Sequence, residues 1–287
     1  MNNNTVEYFL KLGKDILKKE GYESYIIDTE LIMMKILNIS RVRLFLEYKK
    51  EMSDKEILEF KYLICRRAYG MPIKYILGKC EFMSLDFFVN QYTLIPRNDT
   101  EILVEKAIEL FNENNIKNFI EIGTGTGCIS ISILNYINNK NIICTAVDIS
   151  NDAIDVAIKN AKNNNVFENI NFIVSDIFEN INENMKYDAI ISNPPYIKTE
   201  DLNNLVKDIL YYEPLIALDG GFDGLYFYNK IIVQSEKYLN SGGYIMFEIG
   251  YDQGNDVKKI LEKNNFRNIS VIKDLSGLDR VVIGIKN

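Results

Sequence analysis

Apolar positions follow one period up to about residue 72 and a different one from about residue 119. In the first stretch Val6, Phe9, Leu10, Leu12, Ile16 and Leu17 recur near helical spacing, and Gly21 closes the run. Asp28 is placed to cap a second helix carrying Leu31, Ile32, Met34, Ile36 and Leu37. Ser40 opens a short third helix from Val42 to Tyr48. Ser53 with Glu56 three residues on forms a capping box ahead of Ile57, Leu58, Phe60, Leu63 and Ile64, and Gly70 followed by Pro72 stops that helix. The pattern predicts a small N-terminal helical bundle over residues 1–72. It holds no convergent polar cluster, so docking of a substrate is expected of it rather than chemistry.

Over residues 73–98 the period shortens. Phe82, Leu85, Phe87 and Val89, with Thr93-Leu94-Ile95, predict a β-hairpin linker. Asn98 with Glu101 is expected to cap a helix running to about Asn114. From Phe119 strands and helices alternate. Strands are expected at 119–122, 142–147, 171–174, 187–192, 243–249, 269–273 and 280–285, and helices at about 128–137, 151–164, 200–210, 225–240 and 253–264. The last two strands lack a helical span between them and should pair antiparallel at one edge. Residues 99–287 thus read as an α/β domain with a seven-stranded, doubly wound, Rossmann-like sheet.

Candidate chemistry gathers where such strands end. The run Ala189-Ile190-Ile191 stops at Asn193-Pro194-Pro195-Tyr196. Two prolines fix φ and donate no hydrogen bonds, so a stiff loop follows the strand at the end where open α/β sheets bind ligands. The Asn193 side-chain oxygen and the Pro194 carbonyl are acceptors suited to the two hydrogens of an incoming NH2 group, and Tyr196 could stack on the planar group carrying it. An amide nitrogen is a poor nucleophile because its lone pair is delocalised; holding both N–H bonds aims that lone pair and stabilises the charge that grows on nitrogen. An Asn-Pro dipeptide is also an ordinary turn signal, so the neighbouring strand ends carry weight.

The first sheet strand leads into Glu121-Ile122-Gly123-Thr124-Gly125-Thr126-Gly127. Three glycines spaced by two let the backbone approach a ligand, and the following helix start adds free N–H groups. The spacing is neither G-x-G-x-x-G nor a P-loop, which weakens a diphosphate reading. The second strand ends at Asp148, about twenty positions on, where a carboxylate can accept ribose hydroxyls. The third ends at Asp176, placed to accept from an adenine amine, with Ile177 to cover the ring. Four successive strand ends bearing Glu121, Asp148, Asp176 and Asn193 point to S-adenosylmethionine and methyl transfer to nitrogen, leaving S-adenosylhomocysteine. Arg97 and Glu101 either line the same site or are surface residues of a helix start.

Composition narrows this further. With 287 residues, 47% hydrophobic and 25% charged, the chain suits a soluble two-domain protein. No apolar run approaches a membrane span, and Met1-Asn2-Asn3-Asn4 has no signal-peptide character, so a cytoplasmic protein is expected. Cys65, Cys80, Cys128 and Cys144 show no C-x-x-C spacing and are expected to be reduced core thiols. The absence of histidine removes Ser-His and Cys-His pairs and most zinc catalysis, and no metal is expected. A net charge of −7, from 33 basic and 40 acidic residues, weighs against a stable nucleic-acid partner. A monomer is expected.

Taken together, these segments resemble the HemK/PrmC-type protein-(glutamine) methyltransferases that modify peptide chain release factors. The likeness spans the helical N-terminal region, Leu94-Ile95-Pro96-Arg97 with Asp99-Thr100-Glu101, the glycine loop 123–127 and Asn193-Pro194-Pro195-Tyr196-Ile197. It continues through Tyr212-Glu213-Pro214, Ala217-Leu218-Asp219-Gly220-Gly221 and Asp223-Gly224. The NPPY box is shared with adenine-specific DNA methyltransferases; the other segments look specific to the glutamine group. The resemblance implies a class I methyltransferase fold and methylation of the glutamine amide in the Gly-Gly-Gln motif of class I release factors. It implies that Gly123 to Gly127 hold the methionine part of the cofactor, Asp148 the ribose, and Asn193 to Tyr196 the substrate glutamine. Glu121 stands where aspartate is commoner, Asn98 where proline is commoner, and Ile177 where tryptophan often faces the adenine. A ribosomal-protein glutamine methyltransferase is the near alternative, and an adenine-N6 nucleic-acid methyltransferase a more distant one, lacking an evident basic groove.

Overall fold

The computed structural model describes residues 4–287, so the reading of the first three residues lies outside the described part. In chain order the elements are α1 (Val6–Lys19), α2 (Tyr25–Leu37), α3 (Arg41–Leu46), α4 (Asp54–Ala68), α5 (Ile73–Leu77), β1 (Lys79–Phe82), β2 (Leu85–Phe88), α6 (Thr100–Glu113), β3 (Asn118–Ile122) and α7 (Cys128–Tyr136). There follow β4 (Ile143–Asp148), α8 (Asn151–Asn163), β5 (Ile170–Val174), β6 (Tyr187–Ser192), α9 (Lys207–Tyr212), α10 (Tyr226–Tyr238), β7 (Leu239–Glu248), α11 (Gly254–Lys263), β8 (Phe266–Lys273) and β9 (Asp279–Lys286). They form two compact units, one of residues up to Lys79 with Val206–Tyr212, the other of Cys80–Leu205 with Glu213–Asn287.

The helical unit closes on Val6, Phe9, Leu10, Leu17, Ile32, Met33, Leu44, Phe60 and Ile64; Met33 rather than Met34 is the deeper residue of α2, and Leu58, expected on the buried side of α4, is exposed. Ser53 and Glu56 make the expected capping box. Asp28, in contrast, caps nothing. α2 starts three residues earlier, and Asp28 is buried within it, accepting from Arg67 Nε at 2.7 Å. Arg67 Nη1 also reaches Asp208 at 2.6 Å, and its guanidinium lies 3.9 Å from the Tyr22 ring centre. The bundle therefore does contain a convergent polar cluster. It ties α2 and α4 to the returning segment Val206–Tyr212, and its buried charges are paired, as burial demands.

Residues 200–210 are not one helix: a 3₁₀ turn over Thr199–Asn204 and the short α9 are separated by an extended Leu205. Ile73–Leu77, within the stretch expected to be hairpin, is the helical turn α5, with Pro72 at its N-cap and Gly78 in the left-handed region at its end. The hairpin proper is β1–β2. Of the cysteines, Cys80, Cys128 and Cys144 are buried; Cys65, on the outer side of α4, is exposed.

The sheet of the second unit runs β5-β4-β3-β6-β7-β9-β8, with β9 antiparallel to both neighbours and the other pairings parallel. Its two faces bury separate apolar clusters. One includes Leu103, Phe111, Ile131 and Ala161 from α6, α7 and α8; the other includes Tyr228, Ile231, Val257 and Leu261 from α10 and α11. Strand order reverses between β3 and β6, so the loops that follow them diverge there and leave a crevice at the switch point.

Candidate active site

That crevice is a cavity of about 260 Å³, lined within the second unit by the ends of four neighbouring strands. From β3 come Gly123, Thr124, Gly125 and Thr126; from β4, Asp148; from the end of β5, Asp176 and Ile177; from β6, Asn193, Pro194 and Pro195. Arg97 and Thr100 line it as well. Four of the expected residues stand elsewhere. Glu121 is fully buried beneath the glycine loop, Gly127 packs against Ile131 and Ala157, Glu101 spends its carboxylate on the Met83 N–H at 2.7 Å, and Tyr196 packs into the core behind its own loop.

The glycines divide into two kinds. Gly123 and Gly125 have φ of +73° and +54°, and a Cβ on either would meet nothing within 4 Å. Both requirements favour glycine, and the open space is what a bound ligand would fill. Gly127, at φ +77°, would bring a Cβ to 2.8 Å from Ile131 Cδ1 and 3.3 Å from Ala157 Cβ; its role is close packing at the start of α7. Under the loop, Glu121 Oε2 accepts from the Thr124 hydroxyl at 2.8 Å and the Ser130 N–H at 3.2 Å, while Oε1 has no partner among the described residues. Burial pushes this carboxyl up to about 7.

Asp148 accepts from the Gly125 N–H and the Ser150 N–H, at 2.8 and 2.9 Å on different oxygens. Each oxygen keeps a lone pair for a further donor. Burial raises the Asp148 carboxyl above its ordinary range against the pull of those N–H groups. Asp176 is paired with Lys230 Nζ at 2.6 Å. Beside it Ile177 is only 4% exposed and holds φ at +54°, an uncommon conformation for a β-branched residue, of the kind that persists where the surroundings enforce it. A nucleoside with a short polar tail fits this wall: paired acceptors at Asp148, an apolar plate at Ile177 and a Cβ-free cradle at Gly123 and Gly125.

On the facing wall Asn193 donates from Nδ2 to Thr100 Oγ1 at 3.3 Å. Among the described residues nothing donates to Asn193 Oδ1 or to the Pro194 carbonyl. Several glycines hold this loop from behind. A Cβ on Gly220 would lie 2.7 Å from Tyr196 Cα, and one on Gly224 would lie 2.5 Å from the Tyr196 carbonyl oxygen. Ile197 exchanges backbone hydrogen bonds with Leu218 and Gly220, and Gln253 Nε2 donates to the Tyr196 carbonyl at 3.0 Å. Glu213 accepts from Arg97 Nη2 at 2.5 Å and from the Ile95 N–H at 3.4 Å, fixing the segment that runs into Thr100.

The family comparisons agree with this anatomy. Residues 9–78 match the PrmC N-terminal domain and residues 98–214 the methyltransferase small domain. A release factor glutamine methyltransferase of Fusobacterium nucleatum is 40% identical over 285 residues, covering 99% of this chain and 77% of that protein. The chain belongs to the release factor glutamine methyltransferase family. Another member of that family, from Clostridium botulinum, is 41% identical over 271 residues, covering 94% of this chain and 95% of its own. The crystal structure of a methyltransferase from Pyrococcus furiosus shares the fold, with a TM-score of 0.53 at 19% identity over 78% of this chain and 97% of that one. No described helix is long and apolar enough to cross a membrane.

Three residues in or beside this cavity carry no chemistry in the sequence pattern alone: Thr100 on its lining, and Glu213 and Glu248 behind it. Thr100 and Glu213 sit inside segments that the resemblance marks out, and that was the available signal. Glu248, last residue of β7, reads as a strand end like any other.

Proposed function

We infer that this chain methylates the side-chain amide nitrogen of a glutamine, that of the Gly-Gly-Gln motif in class I peptide chain release factors, with S-adenosylmethionine as methyl donor. The observation that carries the reading is the pair of open acceptors, Asn193 Oδ1 and the Pro194 carbonyl, on the wall facing Asp148 and the glycine cradle. When bound, S-adenosylmethionine supplies an electrophilic methyl group. Asp148 is assigned the ribose hydroxyls, Ile177 the adenine face with Asp176 at its edge, and Gly123 to Thr126 the amino-acid end. Glu121 supports that loop from below.

Asn193 Oδ1 and the Pro194 carbonyl take the two N–H hydrogens of the substrate amide. The amide plane is thereby fixed, the nitrogen lone pair is turned out of conjugation, and positive charge growing on nitrogen meets two aligned acceptors. Pro195 keeps the loop stiff, and Tyr196 anchors it to the core. No strong base is required before attack, which suits a chain without histidine. The surplus proton leaves to water. Arg97, held by Glu213, shapes the entrance. The helical unit is assigned the docking of the protein substrate, since α3 exposes Val42, Phe45 and Leu46, at 73%, 50% and 81%.

The test is methylation of a purified class I release factor, followed by peptide mass mapping. One added methyl on the Gly-Gly-Gln glutamine, lost when that glutamine is replaced, is expected. Methylation confined to a ribosomal-protein glutamine or to an adenine base would overturn the substrate assignment. For the docking role, Leu46→Asp should raise KM for intact release factor several-fold while leaving KM for a short Gly-Gly-Gln peptide unchanged; equal effects on both would remove α3 from recognition.

A further inference from the structure

Behind the Asn193–Tyr196 loop, outside the cavity lining, Glu248 is 1% exposed at the end of β7. Its Oε1 accepts from the Tyr196 hydroxyl at 3.4 Å, and its Oε2 has no partner among the described residues. Its backbone carbonyl takes the Tyr228 hydroxyl at 3.0 Å, so the residue is fixed in place. Thr100, a residue 3% exposed, takes the Asn193 Nδ2 hydrogen on its hydroxyl oxygen and lies near enough to this carboxylate to hold its pKa down, without an ordinary-length hydrogen bond to the idle Oε2. A buried carboxylate with an idle oxygen is expensive in a strand that an apolar residue would fill at less cost.

Threonine has one hydroxyl proton. If Glu248 is ionised, that proton points to Glu248, and Thr100 Oγ1 can only accept from Asn193. The Asn193 NH2 is then turned inward and Oδ1 outward. If Glu248 is neutral, the chain can reverse: Glu248 donates to Thr100, Thr100 donates to Asn193 Oδ1, and the amide presents its NH2 to the cavity, where it opposes the N–H bonds of the substrate. We propose that Glu248 is a positioning residue that, through Thr100, dictates which end of the Asn193 amide faces the substrate. The proposal rests on the methyl-transfer reading for its consequence in turnover, but the coupling itself is a property of the folded chain.

The surroundings make the switch accessible near neutral pH. Facing Glu248 are Tyr196 from its loop, Arg280 from β9, Asp99 at the start of α6, Tyr228 from α10 and Cys128 from α7. Burial pushes the carboxyl up to about 7 against the pull of Thr100, Arg280 and Tyr196. The active orientation belongs to the ionised form, so turnover is full above that value and falls as pH drops through it.

The test uses the full chain and three variants, with kcat at saturating release factor and S-adenosylmethionine, cofactor Kd by calorimetry, and 15N NMR of the Asn193 side-chain amide assigned by its loss in Asn193→Asp. Thr100→Val should lower kcat by about 10–100-fold, since it removes the group that aims an acceptor rather than the acceptor itself, with cofactor Kd unchanged within about twofold. Thr100→Ser should recover most of it. Glu248→Gln should lower kcat and abolish the acid limb of the kcat profile, and the Asn193 amide resonance should titrate in the parent chain but not in Glu248→Gln. Normal turnover in Thr100→Val, equal damage from valine and serine, or an Asn193 resonance that titrates identically without Glu248 would each overturn the proposal. Should no release factor be methylated by the parent chain while the resonance still follows Glu248, the substrate reading fails and this coupling stands.

Discussion

Two buried glutamates, each placed where a strand of the sheet ends, support the two halves of the site, and they do so by different kinds of hydrogen bond. Glu121 holds the glycine loop through the Ser130 backbone N–H and the Thr124 hydroxyl. Glu248 takes its side-chain hydrogen bond from a hydroxyl, that of Tyr196, with the Thr100 hydroxyl and the Arg280 charge also bearing on it. A backbone N–H donates and does nothing else, so the direction of the bonding under the cofactor loop is set by the main chain. Hydroxyls turn, so the direction under the substrate loop is set by charge. Both carboxyls are pushed by burial to about 7, yet ionisation should register mainly as stability in one half and as orientation in the other.

The largest expected effect lies on the substrate side. Asn193→Ala removes an acceptor aimed at the reacting amide and should cut turnover by about 10²–10³, by analogy with the loss of one oxyanion-hole donor. Cofactor affinity measured by calorimetry should change far less. Near-normal turnover in this variant would mean that the loop does not aim the amide, and the distinction between the halves would fail with it.

Stability against pH sharpens the comparison next. A carboxyl raised from 4.5 to about 7 binds more protons in the folded than in the unfolded chain between those values, so stability falls as pH rises through that window and levels off above it. Relative to Glu121→Gln, the parent chain should lose about 2–4 kcal/mol of unfolding free energy between pH 4.5 and pH 8, read from urea midpoints. Glu248→Gln should give the same sign. A flat difference for Glu121 would show that its carboxyl is already relaxed by groups other than Thr124 and Ser130.

Legibility in the sequence follows the same division. The half assigned to the cofactor announces itself, because close approach of backbone to a ligand favours glycine and a ribose favours a carboxylate, so Gly123, Gly125 and Asp148 stand out at fixed spacing. The seven strands and the antiparallel pair β8–β9 follow from period and connection length, whereas the strand order and its reversal between β3 and β6 emerge only in the folded sheet. Hidden from view were residues acting through another residue. Glu248 becomes informative only when β7 pairs beside β6 and brings it under Tyr196. Thr100 looks like one more helix-start threonine until Asn193, 93 positions away, donates to it. Asp28 misled because an acid near a helix start is ordinarily a cap, whereas here Arg67 draws it inside.

On the cofactor side Asp148→Ala should weaken S-adenosylmethionine binding by roughly 1.5–3 kcal/mol, the worth of hydrogen bonds to a charged group, with turnover at saturation altered less than affinity. The loss also frees the Gly125 and Ser150 N–H groups, so a folded variant must first be shown by circular dichroism. Unchanged affinity in a folded chain would detach Asp148 from the cofactor and leave it as a loop brace.

The smallest effects come from a pair of single methyl groups, one in each half. Gly123 has φ of +73° and open space where a Cβ would project; Gly220 has no such φ, but its Cβ would sit 2.7 Å from Tyr196 Cα. Gly123→Ala should destabilise the chain by about 1–2 kcal/mol, the penalty of a left-handed L-residue, and weaken cofactor binding by a similar amount because the methyl enters the cradle. Turnover at saturating cofactor should survive. Gly220→Ala acts on backbone rather than on open space, so it should displace the Asn193–Tyr196 loop and lower turnover by roughly tenfold with cofactor affinity kept, since small misplacement of a positioning group is costly. The two variants differ from their parent by the same atoms, and only the wall against which the methyl lands differs. If both change affinity and turnover in the same ratio, the cavity responds as one body and the separate braces at Glu121 and Glu248 have no independent effect.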